Sequence, residues 1–333
     1  MKYFYHLIIC LLPVLSFGQL TLGGSDPQDI STILSGSGVT ISNVQHNGTL
    51  DAIAYFSANT YNMPFQSGFL MTTGSKFCAV GPNDTAFASI KNNAAGLNLA
   101  DNALNIISYD ASVITFDAVP SGSTLKINYI FGSEEFGYSG LTINDAFGIF
   151  ISGPGISGTQ NIARLPNQNT ITISNLKANS QYLVNNGNGT QAPYNTSDNY
   201  LQYNQLSIPL TASINDLFPG SPYHIILVIA DDRDAVFDSG VFIEEGSVTA
   251  SIDENTLDNF VNITYNSSNQ QATIQVTDYP GNLTYSVLDL SGKTMTQSTI
   301  AESTTIDLSN YASGMYLIHV EGSNGQVTRK VIR

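Results

Sequence analysis

Leu125, Ile127, Tyr129 and Phe131 alternate with Lys126 and Asn128, a period of two that turns one face of a strand to a core and leaves the other wetter. Runs of similar texture recur through the first 250 residues. They include Val113-Ile114-Thr115-Phe116, Ala146 to Ile151, Ile171-Thr172-Ile173, Tyr223 to Ala230 and Val241-Phe242-Ile243, punctuated by clusters of Pro, Gly, Asn and Ser. Ile225 to Ala230 is apolar at every position, which predicts a strand covered on both faces. Residues 51–58 and 101–108 are read as short helices. The polar stretch from Tyr182 to Tyr203 is read as a long exposed loop.

The texture changes near Ser251. Thr273-Ile274-Gln275-Val276, Leu283 to Leu290, Thr304 to Leu308, Met315 to Val320 and Val327 to Ile332 read as short strands, with turns at Ser291-Gly292 and Asn324-Gly325. With weaker candidates this gives about seven strands in roughly 80 residues, the rhythm of a small immunoglobulin-like sandwich. The predicted organisation is all-β: a large jelly-roll-like β-sandwich over 19–250, a linker at 251–257 and a small immunoglobulin-like β-sandwich over 258–333.

Residues 1–18 break this pattern. Lys2, an apolar run from Leu7 to about Phe17, and Ser16-Phe17-Gly18 before Gln19 read as a signal peptide. The run is too short for a bilayer, which needs roughly 20 apolar residues, and Pro13 interrupts it. No transmembrane span is expected once it is removed. Of the 333 residues only 11% are charged, 11 basic and 26 acidic; residues 1–18 hold one basic and no acidic residue, so the remainder carries −16. Nucleic acid and anionic lipid are therefore poor partners, since phosphate binding needs basic patches. Only Cys78 remains after residue 18, so an exported chain would rely on packing, hydrogen bonds or metal rather than on an internal disulfide.

In so uncharged a chain, two groups of acids stand out. Glu134, Glu135 and Asp145 flank a turn, and Asp231, Asp232, Asp234 and Asp238 follow the most apolar strand as DDRDAVFDSG. Calcium takes six to eight oxygen ligands from loop carboxylates, carbonyls and water, and two acidic loops at the ends of neighbouring strands would supply them. These seven residues are the candidate calcium ligands. The spacing is not that of an EF-hand, because Val236 and Phe237 occupy its fifth and sixth loop positions counted from Asp232. The alternative is that the acids cap turns, pair with Arg233 or face water.

Catalytic signatures are sparse. His46, His224 and His319 form no HExxH, and no GxSxG occurs. Gly292-Lys293-Thr294 mimics the end of a phosphate-binding loop, but Val287 stands where its first glycine belongs and the segment reads as a hairpin. A polysaccharide hydrolase with two carboxylates, drawing on Glu134 or Glu244, remains the alternative to a non-enzymatic protein of adhesion or glycan binding. Tyr182, Tyr194, Tyr200 and Tyr203 offer flat faces for sugar stacking in the expected loop.

Ile306-Asp307-Leu308-Ser309, Gly314 to Val320, Gly325 and the basic end Arg329, Lys330 and Arg333 resemble the C-terminal sorting domain of type IX secretion substrates, as does Val287 to Lys293. The resemblance, over roughly 258–333, implies a Bacteroidetes-type bacterium and export through the type IX machinery to the surface or medium. In order along the first segment come Gly68 to Gly74, Gly81-Pro82-Asn83, Asp110 to Pro120, Phe131 to Phe136, Asn144 to Gly148, Ser152 to Gly155 and Asp238 to Phe242. Together they resemble the choice-of-anchor L domain over roughly 30–248. That resemblance implies a surface protein and supplies no catalytic residues.

Overall fold

A computed structural model describes residues 20–58, 63–85, 88–137, 144–187, 201–251, 256–279, 281–322 and 325–333. The expected signal peptide, most of the linker, Tyr194, Tyr200 and Asn324 lie outside the described residues.

The alternating stretches pair antiparallel into two large sheets. One runs Thr21–Leu22, Ile53–Ser57, Ser67–Thr72, Ser239–Glu244, Thr124–Ser133, Gln205–Ser207, Leu183–Asn185, with Leu210–Ile214 and Thr249–Ser251 also pairing with Thr124–Ser133. The other runs Val39–Asn47, Ser108–Pro120, Tyr223–Asp232, Ala146–Ser152, Gln160–Asn161, with Ile171–Thr172 also on Ala146–Ser152. Phe69, Met71, Leu125, Ile127, Tyr129, Phe131, Val241 and Ile243 of the first sheet meet Ile114, Phe116, Phe147, Ile149, Ile225, Leu227 and Ile229 of the second in one buried cluster. This is a β-sandwich, and its inner faces carry the alternate positions of each strand.

Both outer faces are covered as well. Leu70, Ile130 and Phe242 point away from the core and pack under Leu201, Tyr203 and Leu206. On the other side Val113, Phe150, Val228 and Ala230 pack under Ala100, Leu104 and Ile106, supplied by the helix Asn98–Leu104 and the chain after it. That double cover explains the all-apolar run Ile225 to Ala230. It also corrects the wetter face expected for Leu125 to Phe131: Lys126 is exposed, whereas Ile130 and Gly132 lie beneath the 201–206 segment.

Three sequence readings change. Residues 51–58 are not helical: a 3-10 turn at Leu50–Ala52 leads into the strand Ile53–Ser57, where Ile53, Ala54 and Phe56 are buried on both faces. The helix expected at 101–108 is Asn98–Leu104; it stops at Asn105 in left-handed backbone (φ 58°), and the next strand begins at Ser108. Ile171–Thr172 is a strand of two residues, because the Thr172 hydroxyl accepts the Asn175 N–H at 3.2 Å and starts the helix Ile173–Ala178.

The C-terminal segment folds around its own core of Leu257, Ile263, Ile274, Leu283, Val287, Ile318, Val320 and Val327. Among the described residues, three strands (Val261–Asn266, Gln271–Val276, Thr304–Asp307) form one sheet and four (Thr294–Ile300, Leu283–Asp289, Met315–Gly322, Gly325–Ile332) the other. Gly292, at φ 82°, sits in the turn between Leu283–Asp289 and Thr294–Ile300, and the Asp289 carboxylate accepts the Ser291 and Lys293 N–H groups there. The Gly292-Lys293-Thr294 sequence therefore closes a hairpin. Among the described residues no helix is long and apolar enough to cross a membrane.

Candidate metal centre

Strand direction gathers the acids. Ser67–Thr72, Thr124–Ser133 and Tyr223–Asp232 end, and Ala146–Ser152 and Ser239–Glu244 begin, at the same end of the sandwich. Asp145 and Asp231 come from one sheet, Glu134, Glu135 and Asp238 from the other. Asp231 lies within its strand, just past a bulge in the pairing with Ser108–Pro120, and the others continue theirs by a residue or two, so the alternation of the strand still decides which way each points.

The result is two pockets rather than one. Phe131, Phe147, Ile229 and Val241 face the core; two steps further along their strands come Ser133, Asp145, Asp231 and Ser239, with Glu135 following Ser133. The Ser239 hydroxyl donates to Asp145 Oδ2 at 2.6 Å and so ties the two sheets together. The Asp232 N–H donates to Asp145 Oδ1 at 3.1 Å. The Glu135 N–H donates to Ser133 Oγ at 2.9 Å, and Lys177 Nζ donates to the Glu135 backbone carbonyl at 3.1 Å. Glu134 and Asp238 turn the other way, beneath the segment that covers the first sheet. There Asn204 Nδ2 donates to the Glu134 carbonyl at 2.8 Å, and Asp238 Oδ2 accepts the Ile90 N–H at 2.9 Å. Gly74 is required beside Asp238, since a Cβ there would stand 2.0 Å from Asp238 Oδ2.

Asp232 faces neither pocket. Its Oδ1 accepts the Ile107 N–H at 2.8 Å and its Oδ2 lies 3.4 Å from Arg233 Nε, so it ties a loop to a strand, the pairing role weighed against calcium. Asp234 is half-buried at the rim, its Oδ1 accepting the Val236 N–H at 3.2 Å.

Burial dominates the electrostatics. It pushes the carboxyl of Glu134 up to about 9, with Gln202 and the Ala88 N–H opposing the shift. Burial and then the neighbouring Asp145 push Glu135 up to about 10. Asp145 rises to about 7 by burial, opposed by the Ser239 hydroxyl, and Asp238 to about 6. Asp231 is raised well above the usual carboxylate range by burial and by Asp145. All four side-chain oxygens of Glu134 and Glu135, and both of Asp231, are enclosed without a hydrogen bond of good geometry, although Gln202 and the Ala88 N–H stand near Glu134, the Asp145 N–H near Glu135, and the Thr73 hydroxyl and the Asp145 carboxyl near Asp231. Among the described residues no three Asp, Glu, His or Cys side chains already stand around a common point that would hold a metal ion.

Residues 25–249 match the family model of the choice-of-anchor L domain, more than half of the chain. The chain belongs to that family. Residues 257–333 of this choice-of-anchor L protein match the secretion system C-terminal sorting domain. A tail of that type marks a protein that engages the type IX secretion machinery and is secreted or displayed on the surface of a Bacteroidetes-type bacterium. No curated protein matches the sequence. Among solved structures, the adhesin domain of Epf from Streptococcus pyogenes is similar at 10% identity and TM-score 0.26, over 94% of this chain and 95% of that one. The BSP domain of a biofilm associated protein follows at 8% identity and TM-score 0.21, over 84% and 59%. Dimeric latent PorU from Porphyromonas gingivalis is similar at 16% identity and TM-score 0.18, over 67% and 18%. These likenesses are loose.

In the choice-of-anchor L domain, the carboxylate pair considered for glycoside hydrolysis is not assembled. Ser239 pairs with Ser133, next to Glu134, while Glu244 stands at the far end of Ser239–Glu244. Five residues of strand at about 3.3 Å each separate them by roughly 17 Å, against roughly 5 to 9.5 Å in glycosidases. Glu244 is engaged by Asn128 Nδ2 at 2.8 Å, and Glu134 is fully buried. The histidines hold local structure: His224 Nδ1 lies 2.9 Å from Asp117 and His319 Nδ1 2.9 Å from Thr328. Tyr203 is buried beneath the first sheet and Tyr182 packs against the core, so neither is the exposed sugar platform the sequence suggested. Ser133, Ser239 and Lys177 were missed. Counting the strand period two residues beyond each acidic strand end would have placed the two serines beside Asp145 and Glu135.

Proposed function

We propose that the choice-of-anchor L domain is a non-enzymatic binding module that the type IX route delivers to the cell surface or medium, where it holds a hydroxyl-rich glycan in adhesion. The observation that carries this reading is a groove of about 960 Å³ between the Thr159–Gln168 edge and the Ile208–Ile214 segment of the sandwich. Gln160, Asn161, Arg164, Gln168, Thr211 and Ser213 line it. Amides, hydroxyls and one guanidinium on a shaped surface are the groups that hydrogen-bond sugar hydroxyls and ring oxygens. Arg164 is held in place by the Asn161 and Gln168 carbonyls, which accept from its Nε at 3.2 Å and Nη1 at 3.4 Å, so little freedom is lost when it meets a ligand. The residues lining the groove include no Asp, Glu, His or Cys, which favours binding over acid–base hydrolysis there.

A glycan array probed with the exported protein, run beside a reducing-sugar assay on the same glycans, tests this. Binding without hydrolysis is expected, and Arg164→Ala should weaken it by about tenfold or more, since hydrogen bonds from a charged group contribute roughly 1.5–3 kcal/mol. Sugar release by the protein, or binding indifferent to Arg164→Ala, counts against the reading.

A further inference from the structure

The inner pocket presents a problem that the protein alone does not solve. Glu135 and Asp231 are almost fully enclosed, 1% exposed each, and none of their four carboxyl oxygens has a hydrogen bond of good geometry, with only the Asp145 N–H near the one and the Thr73 hydroxyl and Asp145 carboxyl near the other. Buried polar groups are nearly always satisfied, because leaving one unpaired forfeits its hydration without return. A carboxylate in such a place needs donors or a cation. The best-aligned donors nearby are already used: the Ser239 hydroxyl and the Asp232 N–H go to Asp145, and the Glu135 N–H goes to Ser133, while the Asp145 N–H near Glu135 and the Thr73 hydroxyl near Asp231 are not aligned to satisfy them.

We propose that Glu135, Asp145 and Asp231, with Asp234 closing from the rim, bind one calcium ion between the two sheets of the sandwich. Each Asp145 oxygen keeps a lone pair beyond its one hydrogen bond, so the Ser239 and Asp232 contacts aim that carboxylate without consuming it. The other polar groups at hand, the Thr73 and Ser133 hydroxyls and strand-end carbonyls, are also oxygens, and an all-oxygen set with several carboxylates suits a hard cation with adaptable geometry rather than zinc. Cys78 lies beside Asp238 in the outer pocket, and burial pushes its thiol up, away from the thiolate that binds soft metals. Lys177 lies beside Glu135 and Lys91 near Asp234, two positive groups against four acids. Asp232 is excluded by its bonds to Ile107 and Arg233, and Glu134 and Asp238 by facing the other pocket.

Because no three acids yet share a common point, binding draws Glu135 and Asp234 inward. Glu135 has three side-chain torsions, and Asp234 sits on the loop between Tyr223–Asp232 and Ser239–Glu244. The ion then joins both sheets at the end where the Ser239–Asp145 bond already crosses between them. This site is separate from the glycan groove and shares no residue with it, so either can fail alone.

The full chain, freed of divalent ions by chelation, is titrated with calcium chloride alone, with binding followed by calorimetry and unfolding by thermal melts. Saturation near one ion per chain and a melting point several degrees higher in millimolar calcium than in chelator are expected. Potassium chloride of matched ionic strength should give little of that shift. Glu135→Gln and Asp231→Asn keep shape and remove the charge: each should melt at or above the wild type in chelator and lose most of the calcium shift, while Asp51→Asn at a distant exposed site behaves as wild type. The proposal is overturned by equal wild-type melting points in chelator and calcium, a measurement that needs no variant. A potassium effect as large as the calcium effect, or a full calcium shift in both amide variants, overturns it equally.

Discussion

Glu134 and Glu135 hold their protons far beyond the pH at which an exposed carboxyl gives them up, because the fold denies the charged form its water. The folded state therefore binds protons that the unfolded chain releases, and the stability this confers is complete below the ordinary carboxylate range and is lost as pH rises through the folded values near 9 and 10. In the presence of chelator, the melting point should fall steadily from pH 5 to pH 9; a flat or rising profile would show that other groups govern the titration. The acids themselves were legible in the sequence as rare charges between apolar runs. Their division was not. Glu134 and Glu135 are adjacent yet face opposite sides of a sheet, and Asp232 is spent on Ile107 and Arg233 while its neighbour Asp231 is left unpartnered. Only strand direction and pairing decide such differences, and neither is carried by composition.

Among the elements, strand Ser239–Glu244 is tightly confined. It is paired on both sides, by Ser67–Thr72 and Thr124–Ser133, and Tyr203 lies across it so closely that a Cβ on Gly240 would stand 2.2 Å from the tyrosine oxygen. Gly240→Ala forces Tyr203 aside from Phe242, its edge-to-face partner at 6.2 Å. Overpacking of this kind costs about 1–3 kcal/mol. A lower denaturant midpoint with an unchanged slope would register it, whereas an unchanged midpoint would mean the 201–206 cover yields freely. Strands with strict alternation or continuous apolar runs, such as Thr124–Ser133 and Tyr223–Asp232, were readable because one or both of their faces are buried. Ser67–Thr72 was not among the strand candidates, since Gly68, Thr72, Thr73 and Gly74 weaken its strand pattern; Gly68 is there because Ile243 O would stand 1.9 Å from a Cβ. Residues 51–58 were misread because their burial on both faces erases any period.

For the whole molecule, the sorting domain decides the destination. Its core is built from its own strands, so deleting 258–333 should leave the choice-of-anchor L domain folded but unexported, accumulating in the periplasm. Fractionation that finds equal amounts of truncated and full-length protein at the surface would refute that expectation. In the sequence, turn spacing and strand length change near residue 250, which sets the two segments apart. The covering layers were not, since the 201–206 segment lies far in sequence from the strands it shields.

The Thr73–Ser239 hydrogen bond joins residues 166 positions apart. At a synthesis rate of roughly 5–20 residues per second, Ser67–Thr72 waits on the order of ten to thirty seconds for its neighbour to be made. Throughout that interval the sandwich cannot close, and non-local pairing of this kind is slow even once the chain is complete. The nascent protein is thus an open chain whose apolar strands are flanked by hydrated acids, Glu134, Glu135 and Asp145 among them. The acids that the finished fold holds protonated are charged in the unfinished one, where like charge opposes the sticking of neighbouring copies.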